Sequence, residues 1–486
     1  MTSKIWLWAG LGPAVLAGCA SEPKDAGFSD VSQAVATRTG QKVLWNRRTP
    51  EDAQATAAVQ ELLKNELTAD GAVQVALLNN HRLQAVFEDL GIAQADLVQG
   101  GLLKNPVLGG HLRFAGNDPT GTNLELSLIQ DFMDLALRPL KRKVSEAAFE
   151  QAKLEVSQAV MDLAAETKAA FYAAQAADQG VEMMRTVLQA AEVSKDLAQR
   201  LHEAGNTTDL EWASEQATFE RVRLDLGEAE AASLEARERL ISRMGLWGPA
   251  TAFRIAGRLP GLPEKEVDPA GLEALAVSQR LDLAAAGKAV EFQARRLGLT
   301  DKQRLIPELN LGLDYEKDTD GHWVMGPALE LPLPIFDRGQ ARDQRAQAEL
   351  AQARENYYAL AVEIRSAARV AWNRMRSARE RAEHLHKVAL PLKDRIVRES
   401  QLEYNGMLIG GFQLFMAKQE EVLTGHQYVE ALKAYWLARV DLERAIGGRL
   451  TSGEEAPSPP DKPAEEAPKD SGHEHHHHHE HEGEKP

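Results

Sequence analysis

The chain of 486 residues contains one cysteine, 6% aromatic residues and no long apolar run after residue 19. A membrane-spanning helix needs about 20 mostly apolar residues, so none is predicted beyond that point. The net charge of −16 argues against a nucleic-acid partner, which would favour basic patches. The sequence also lacks a usable thiol nucleophile, a phosphate-binding glycine loop and an HExxH motif, so no enzymatic activity is predicted.

The only cysteine lies in an N-terminal pattern typical of secretion. Lys4 is followed by the apolar run 5–17, whose last two residues begin the sequence Leu16-Ala17-Gly18-Cys19. This sequence resembles a bacterial lipobox, which implies that residues 1–18 are a signal peptide and that Cys19 is lipidated. In such lipoproteins, Asp directly after the lipidated cysteine retains the protein at the inner membrane. Residue 20 is Ala instead, which indicates the outer membrane. Residues 19–70 are then expected to be an extended segment. The alternative is an uncleaved membrane anchor.

Two halves of the chain share one hydrophobic pattern. Apolar residues recur every seven positions in both halves, 200 residues apart: Ala76, Leu83, Leu90 and Leu97, then Ala276, Leu283, Val290 and Leu297. This spacing predicts one helix in each half with a seam that packs against another helix. The halves are taken as repeats at 71–245 and 270–448, joined by a linker at 246–269.

Each repeat also contains a short segment of alternating apolar and polar residues. The predicted strands are 111–114 with 124–128 in the first repeat, and 309–315 with 329–333 in the second. Asn, Asp, Pro and Gly separate the members of each pair, at 116–121 and 317–321. One hairpin is therefore predicted per repeat, at about 107–132 and about 308–335.

A long Ala-rich helix is predicted after each hairpin, at about 139–205 and 339–406, and a third helix at about 209–245 and 410–446. At 1.5 Å per residue each long helix would extend about 100 Å, which requires coiled-coil support. A plain helical bundle is the alternative for any one segment. The same order of helices and hairpin occurs in both repeats, which disfavours a plain helical bundle.

Four strands cannot close a membrane barrel, so several chains would have to combine their strands. The order of elements and the stretches ALLNNHRL (76–83), LVQGGLLKNPVL (97–108), QDFMDLALRPLKRK (130–143), PLPIFDRGQAR (332–342) and YNGMLIGGFQLFMAKQ (404–419) resemble the TolC-like outer-membrane efflux family. The resemblance implies a mainly α fold with a small membrane β part. Long coiled-coil helices would form an α-barrel, and four strands per chain would contribute to a trimeric 12-strand β-barrel.

The resemblance also implies partners and sites. The partners would be two further copies, a periplasmic adaptor protein, an inner-membrane efflux pump and outer-membrane lipid. Two helix–turn–helix tips would meet the adaptor, through Arg200, Leu201, Gly205, Asp209, Leu402, Gly406, Leu408 and Ile409. Well-known members carry two Asp after the second tip glycine. Here those positions are Phe412 and Phe415, which predicts an apolar gate or, alternatively, two ordinary core residues.

Residues 449–486 are predicted to be a disordered tail, with six Pro and ten Asp or Glu in 451–486. No cofactor is expected apart from loosely bound Zn, Cu or Ni on His473, His475, His476, His477, His478, His479 and His481. A purification tag is the alternative origin of this run. A native tail favours the heavy-metal branch of the family.

The sequence therefore predicts a lipid-anchored outer-membrane channel of a tripartite efflux system, extending into the periplasm, for heavy-metal cations. A drug or organic-solute duct of the same family is one alternative. The alternative from another class is a periplasmic, metal-binding coiled-coil lipoprotein without a channel.

Overall fold

The structure, a computed structural model, describes residues 25–114, 122–266, 268–305, 308–318 and 320–450. Residues 1–450 form one unit and residues 451–486 a second, which lies outside the described residues. The helices and strands are α1 (Phe28–Thr39), α2 (Pro50–Lys64), β1 (Glu66–Leu67), α3 (Ala69–Asn79), α4 (His81–Gly101), β2 (Val107–Phe114), β3 (Thr122–Asp131), α5 (Phe132–Glu203), α6 (Asp209–Met244), β4 (Arg254–Ile255), α7 (Leu272–Gln279), α8 (Leu281–Leu305), β5 (Asn310–Lys317), β6 (Trp323–Glu330), α9 (Gln340–His384), α10 (Leu390–Asn405) and α11 (Gly411–Ile446).

The N-terminal segment differs from the expectation of an extended chain. It contains α1 and α2, joined by an extended stretch at residues 41–47. The side chain of Gln74 bonds both the backbone N–H and the carbonyl of Lys42, at 3.0 and 2.8 Å. The linker expected at 246–269 contributes β4, which pairs in parallel with β1. The apolar periodicity of these two segments is too weak to predict their helices and strands from the sequence. Their backbone is held instead by contacts with distant elements.

The single helix predicted at the start of each repeat is two helices. In the first repeat Asn80 separates α3 from α4, because its Oδ1 accepts a hydrogen bond from Leu83 N–H at 3.0 Å and so caps α4. Its Nδ2 donates to the Arg243 carbonyl at 2.8 Å, which fixes the end of α6. In the second repeat Arg280 separates α7 from α8. Ala76, Leu83 and Leu90 are buried, as the heptad pattern predicted.

The four strands form one antiparallel sheet in the order β2-β3-β5-β6. The β3–β5 pairing joins the two repeats, with Leu126 opposite Tyr315. Two predicted strand bounds were wrong. The first strand begins at Val107, not at 111, and the last is Trp323–Glu330, not 329–333. Two prolines, Pro332 and Pro334, follow soon after the end of β6, whereas Pro327 is accommodated inside it because β6 is an edge strand.

The long helices differ in continuity. Helix α5 runs for 72 residues, or about 110 Å, from the N-cap Asp131, whose side chain accepts hydrogen bonds from Met133 and Asp134 N–H. Its counterpart is interrupted by a π-helical turn at Leu385–Ala389, which separates α9 from α10. Pro391 follows within the first turn of α10, where its missing N–H removes one α-helical hydrogen bond.

The helices pack in a defined neighbour order. Helix α5 packs against both α6 and α11, and α11 packs against α9. Helices α6 and α9 therefore lie at opposite edges of this set. The core between the repeats includes Phe171, Leu240, Met244 and Leu432. Burial of each such side chain contributes roughly 1.5–3 kcal/mol, so this core is a main source of cohesion between the halves.

Half-buried charges add to the contact between the repeats. Lys168 of α5 pairs with Glu443 of α11 at 2.9 Å. Two turns earlier on α11, the Tyr435 hydroxyl donates to Glu266 Oε1 at 2.6 Å, and Arg379 of α9 pairs with the same oxygen at 2.5 Å. Burial and the Glu266 carboxylate raise the pKa of Tyr435 to about 12, so this hydroxyl remains a donor throughout the physiological range.

Candidate functional site

The two faces of the four-stranded sheet differ in polarity. Residues opposite each other on neighbouring strands share a face, and alternate residues along one strand point to opposite faces. On this basis one face, called the apolar face, consists largely of Leu108, Leu112, Phe114, Leu124, Leu126, Leu128, Leu311, Leu313, Tyr315, Trp323, Met325 and Leu329. Nearly all of these side chains are exposed in the single chain. An apolar area of this extent indicates an interaction surface.

The other face of the sheet, called the polar face, carries charges that pair with each other. Arg113 donates to Glu125 Oε2 at 2.9 Å, and Asn123 Nδ2 donates to Glu316 Oε1 at 2.6 Å. The second bond connects the hairpins of the two repeats. The alternation fits a sheet with apolar surroundings on one side and water on the other.

Within the described residues, no helix combines the length and the apolar character needed to span a bilayer.

The first tip, defined as residues 204–208, connects α5 to α6. Asn206 N–H donates to the Leu201 carbonyl at 2.8 Å and Gly205 N–H to the His202 carbonyl at 2.8 Å, which is a Schellman turn. Gly205 adopts the left-handed conformation, with φ of 74°. The Thr208 hydroxyl then accepts a hydrogen bond from Glu211 N–H, and Glu211 accepts one from Thr208 N–H, so a capping box begins α6.

The second tip, defined as residues 406–410, connects α10 to α11 through the same turn. Leu408 N–H donates to the Glu403 carbonyl at 2.9 Å and Met407 N–H to the Tyr404 carbonyl at 3.0 Å. The left-handed residue is Met407, with φ of 60°, whereas Gly406 has φ of −81°. Sequence alignment on the glycines matched Gly205 with Gly406, but the backbone matches Gly205 with Met407.

The predicted tip residues lie where the turns require. Arg200 and Leu201 are in the last turn of α5, and Asp209 is the first residue of α6. His202 stacks on Trp212 at 4.9 Å between ring centres, with Nε2 at 3.4 Å from Asp209. Leu402 is in the last turns of α10 and is exposed, while Ile409 is half-buried.

Sequence reasoning missed Met407, which is 94% exposed beside Leu408 at 78%. The ends of α6 and α11 contain the information that locates this residue. Gly447 caps α11 202 residues after Gly245 caps α6, so the register at the tips is also 202 and pairs position 205 with 407.

The two phenylalanines considered for a gate lie in different environments. Phe415 is 6% exposed and packs in a cluster with Met184, Val187, Ala191 and Val222. This placement matches the alternative of an ordinary core residue. Phe412 is 46% exposed at the start of α11. Of the two, only Phe412 presents an apolar side chain that a neighbouring chain could meet.

Helix α6 has an unpaired seam on its outer edge. This seam consists of eight exposed residues that are separated alternately by three and four positions: Leu210, Ala213, Ala217, Glu220, Leu224, Gly227, Ala231 and Leu234. This 3-4 spacing of small and apolar residues is the pattern of a coiled-coil seam. At the opposite edge, an exposed stripe follows α9 and α10 and includes Tyr358, Val362, Val370, Val388, Leu392 and Ile396.

The charges beside these two edges are of both signs. Exposed side chains without an ion pair to any described residue include Arg221, Asp225, Glu228 and Glu238 of α6, and Glu355, Glu363, Arg374 and Arg381 of α9. The two edges therefore match each other in exposed apolar character.

Cys19 and the histidines at 473, 475–479 and 481 lie outside the described residues. Among the residues that the structure does describe, no group of three or more His, Cys, Asp or Glu is placed to hold a metal ion.

Comparison with known proteins identifies the fold. Residues 72–246 match the family model for outer membrane efflux proteins. The cobalt-zinc-cadmium resistance protein CzcC of Cupriavidus metallidurans is 22% identical over 387 residues, which cover 78% of this chain and 90% of that protein.

Solved structures share the architecture at low identity. The outer membrane channel CmeC of Campylobacter jejuni has a TM-score of 0.68 at 17% identity, over 80% of this chain and 87% of that one. CusC, described as forming a transmembrane channel, has a TM-score of 0.65 at 15% identity, over 78% and 92% of the two chains. The fold is that of these channels, and residues 72–246 are similar to the outer membrane efflux proteins.

Proposed function

We propose that this chain is one of three subunits of an outer-membrane channel through which heavy-metal cations leave the cell. The observation that carries the channel is the separation of an exposed apolar face from a paired polar face in one sheet. The apolar face would contact outer-membrane lipid and the polar face would line water.

Assembly from several copies follows from the edges of the sheet. Strands β2 and β6 have no partner on their outer sides within the described chain. Unpaired backbone groups in lipid each cost several kcal/mol, so β6 of one copy would pair with β2 of the next. Three copies would supply twelve strands, the number that the family resemblance implies.

The helical edges support the same arrangement. The exposed α6 seam of one copy would pack on the exposed apolar stripe along α9 and α10 of its neighbour. A contact between two different surfaces of one chain is head-to-tail, and it forms a closed ring of three when each copy is rotated by a third of a turn from the last. The long helices would then continue the channel wall away from the membrane.

A charge on the α6 seam tests this assembly. Leu224→Glu should reduce the protein to monomers in detergent, because it places a carboxylate in a close-packed helix contact. Val193→Glu is the matched control, since Val193 of α5 and Leu224 are both 70% exposed but Val193 lies off the seam. Molar mass from light scattering after size-exclusion chromatography gives the result. A trimeric Leu224→Glu protein would contradict the proposal.

We further propose that the two tips meet a periplasmic adaptor protein and that Phe412 narrows the closed channel. The exposed Met407 and Leu408 support an apolar contact at the second tip. An inner-membrane pump would supply the energy, because a passive duct performs no chemistry. Cys19 would carry the lipid anchor.

Heavy-metal cations are favoured as the cargo by the name of CzcC and by the seven histidines of the tail. The test compares cells lacking the gene with cells complemented by the full chain or by a chain ending at Gly453. Growth would be measured on zinc, copper, cobalt, nickel, cadmium, silver and a panel of organic drugs. Metal sensitivity rescued by the full chain supports the assignment. Drug sensitivity alone would contradict the metal cargo, and rescue by the shorter chain would show that the tail is accessory.

A further inference from the structure

The connection from β6 to α9 differs from its counterpart in the first repeat. There, β3 leads directly into α5, and Asp131 belongs to the strand and caps the helix. In the second repeat, residues 331–339 separate β6 from α9 without helix or strand structure. Their sequence, LPLPIFDRG, concentrates four large apolar side chains in six positions.

These side chains have no protein partner that covers them in the described chain. Leu331, Leu333, Ile335 and Phe336 are all exposed, and Phe336 is 92% exposed. Pro332 and Pro334 prevent further strand pairing. Ile335 N–H donates to the Leu333 carbonyl at 2.8 Å, so the chain turns sharply before α9 begins.

The apolar face of the sheet continues into this connection. In β6 the residues Trp323, Met325 and Leu329 point to the apolar face. Leu331 and Leu333 follow at the same two-residue spacing after pairing has ended. The charged residues Asp337 and Arg338 come next, and Arg338 makes no ion pair with a described residue. An apolar surface that ends at a charged step is the composition expected at a bilayer interface.

We infer that residues 331–338 are an interfacial membrane anchor, whose occupant is the acyl and headgroup boundary of a phospholipid bilayer. Leu333, Ile335 and Phe336 lie in the acyl boundary, and Arg338 reaches the phosphate headgroups. This inference rests on the proposed position of the sheet in the membrane. It assigns the second repeat, and not the first, an additional anchor at the level where the helices begin.

Site-directed spin labelling of the full-length protein in phosphatidylethanolamine–phosphatidylglycerol vesicles tests the anchor. A nitroxide is attached to Phe336→Cys or, as a second position, Leu333→Cys. Collisions with oxygen, which concentrates in lipid, are compared with collisions with a water-soluble nickel chelate. The unsubstituted protein gives the background from Cys19. Leu313→Cys marks the apolar face, and Val193→Cys, about 90 Å along α5 from its start, marks water.

The expected result is that the labels at 336 and 333 favour oxygen over nickel, as at 313, and that this preference is reversed at 193. Low collision rates with both reagents at 336 and 333 would show that a neighbouring copy covers the connection and would overturn the anchor. Rapid nickel collisions there would place the connection in water and overturn it too. In both cases oxygen preference at 313 would leave the membrane sheet intact. Nickel preference at 313 would refute the proposed function itself.

Discussion

The two tips share one backbone turn but are built from different residues. The first tip places Gly205 at the left-handed position and follows it with a polar capping box. The second tip places Met407 there and exposes Leu408, and the N-cap residue before α11 is Gly410, which has no side chain to cap the helix. A left-handed conformation costs a residue with a Cβ roughly 1–2 kcal/mol. The first tip is therefore optimised for stability, whereas the second bears strain and presents apolar surface. Backbone strain together with exposed apolar side chains is typical of a binding site.

The largest effect is expected from charging the second tip. Leu408→Asp should abolish resistance in complemented cells, because a truncated or charged anchor residue at an interface costs about 2 kcal/mol or more, a loss of roughly 30-fold in affinity. Growth on the metals that the deletion strain fails to tolerate gives the readout, with membrane protein levels measured in parallel. The matched control is Asn206→Asp, which places the same charge at the equivalent exposed position of the first tip and should retain resistance. Equal losses from both variants would remove the functional distinction between the tips.

Exchanging the left-handed residues should shift the stability of the two tips in opposite directions. Gly205→Ala should destabilise the first tip by about 1 kcal/mol, since a Cβ there meets no atom within 4 Å and only the backbone strain acts. Met407→Gly should stabilise the second tip by about the same amount. Hydrogen exchange of the tip amides, followed by mass spectrometry, measures both changes. Slower exchange in Gly205→Ala would show that the first turn is not limited by this residue.

The helix caps should differ by a smaller amount. Thr208→Ala removes the side chain that accepts from Glu211 N–H and should destabilise the start of α6 by about 1 kcal/mol. Gly410 has no such group, and Gly410→Ser, which supplies a hydroxyl at this N-cap, should stabilise the start of α11 by only a few tenths of a kcal/mol. The same exchange experiment compares the first turns of α6 and α11. A larger effect at Gly410 would indicate that the second tip depends on backbone freedom at this residue.

The smallest effect is the pH dependence of the first tip. Hydrogen bonds from the Thr207 hydroxyl and Thr208 N–H lower the pKa of Glu211 below its usual value of 4.5. The stabilisation from Glu211 is therefore complete above about pH 4.5 and is lost as the pH falls through the lowered pKa. The equivalent residue in the second tip is Gln413, whose side chain accepts from Gly410 N–H and does not titrate. Amide exchange corrected for its intrinsic rate should show acid loosening only at the first tip, and Glu211→Gln should remove it.

Much of the fold was predictable because it follows from periodic patterns. The heptad residues Ala76, Leu83 and Leu90 marked a packing seam, and alternation located the hairpins. The break at Asn80 was not evident, because its capping bond and its bond to the Arg243 carbonyl depend on tertiary contact. The end of β6 could have been read from Pro332 and Pro334.

The candidate site was less predictable than the fold. Sequence indicated both tips but aligned them by their glycines, although the left-handed residue of the second tip is Met407. A glycine near a helix end can occupy the cap itself or the next position, and composition does not distinguish these. The division of the sheet into two faces and the exposed α6 seam needed strand register and helix neighbours, which a single sequence does not contain.

The π-helical turn at Leu385–Ala389 gives the two long helices different mechanical properties. Helix α5 contains Pro139 near its start, and from there to Glu203 it remains α-helical, so bending it in that part would strain a continuous ladder of hydrogen bonds. The second long helix, α9 with α10, contains one weak point about a quarter of its length from the second tip, at the π-helical turn and Pro391. We expect a force applied at the second tip to bend the chain at this π-helical turn. The second tip would then move relative to α5, with the π-helical turn as the hinge.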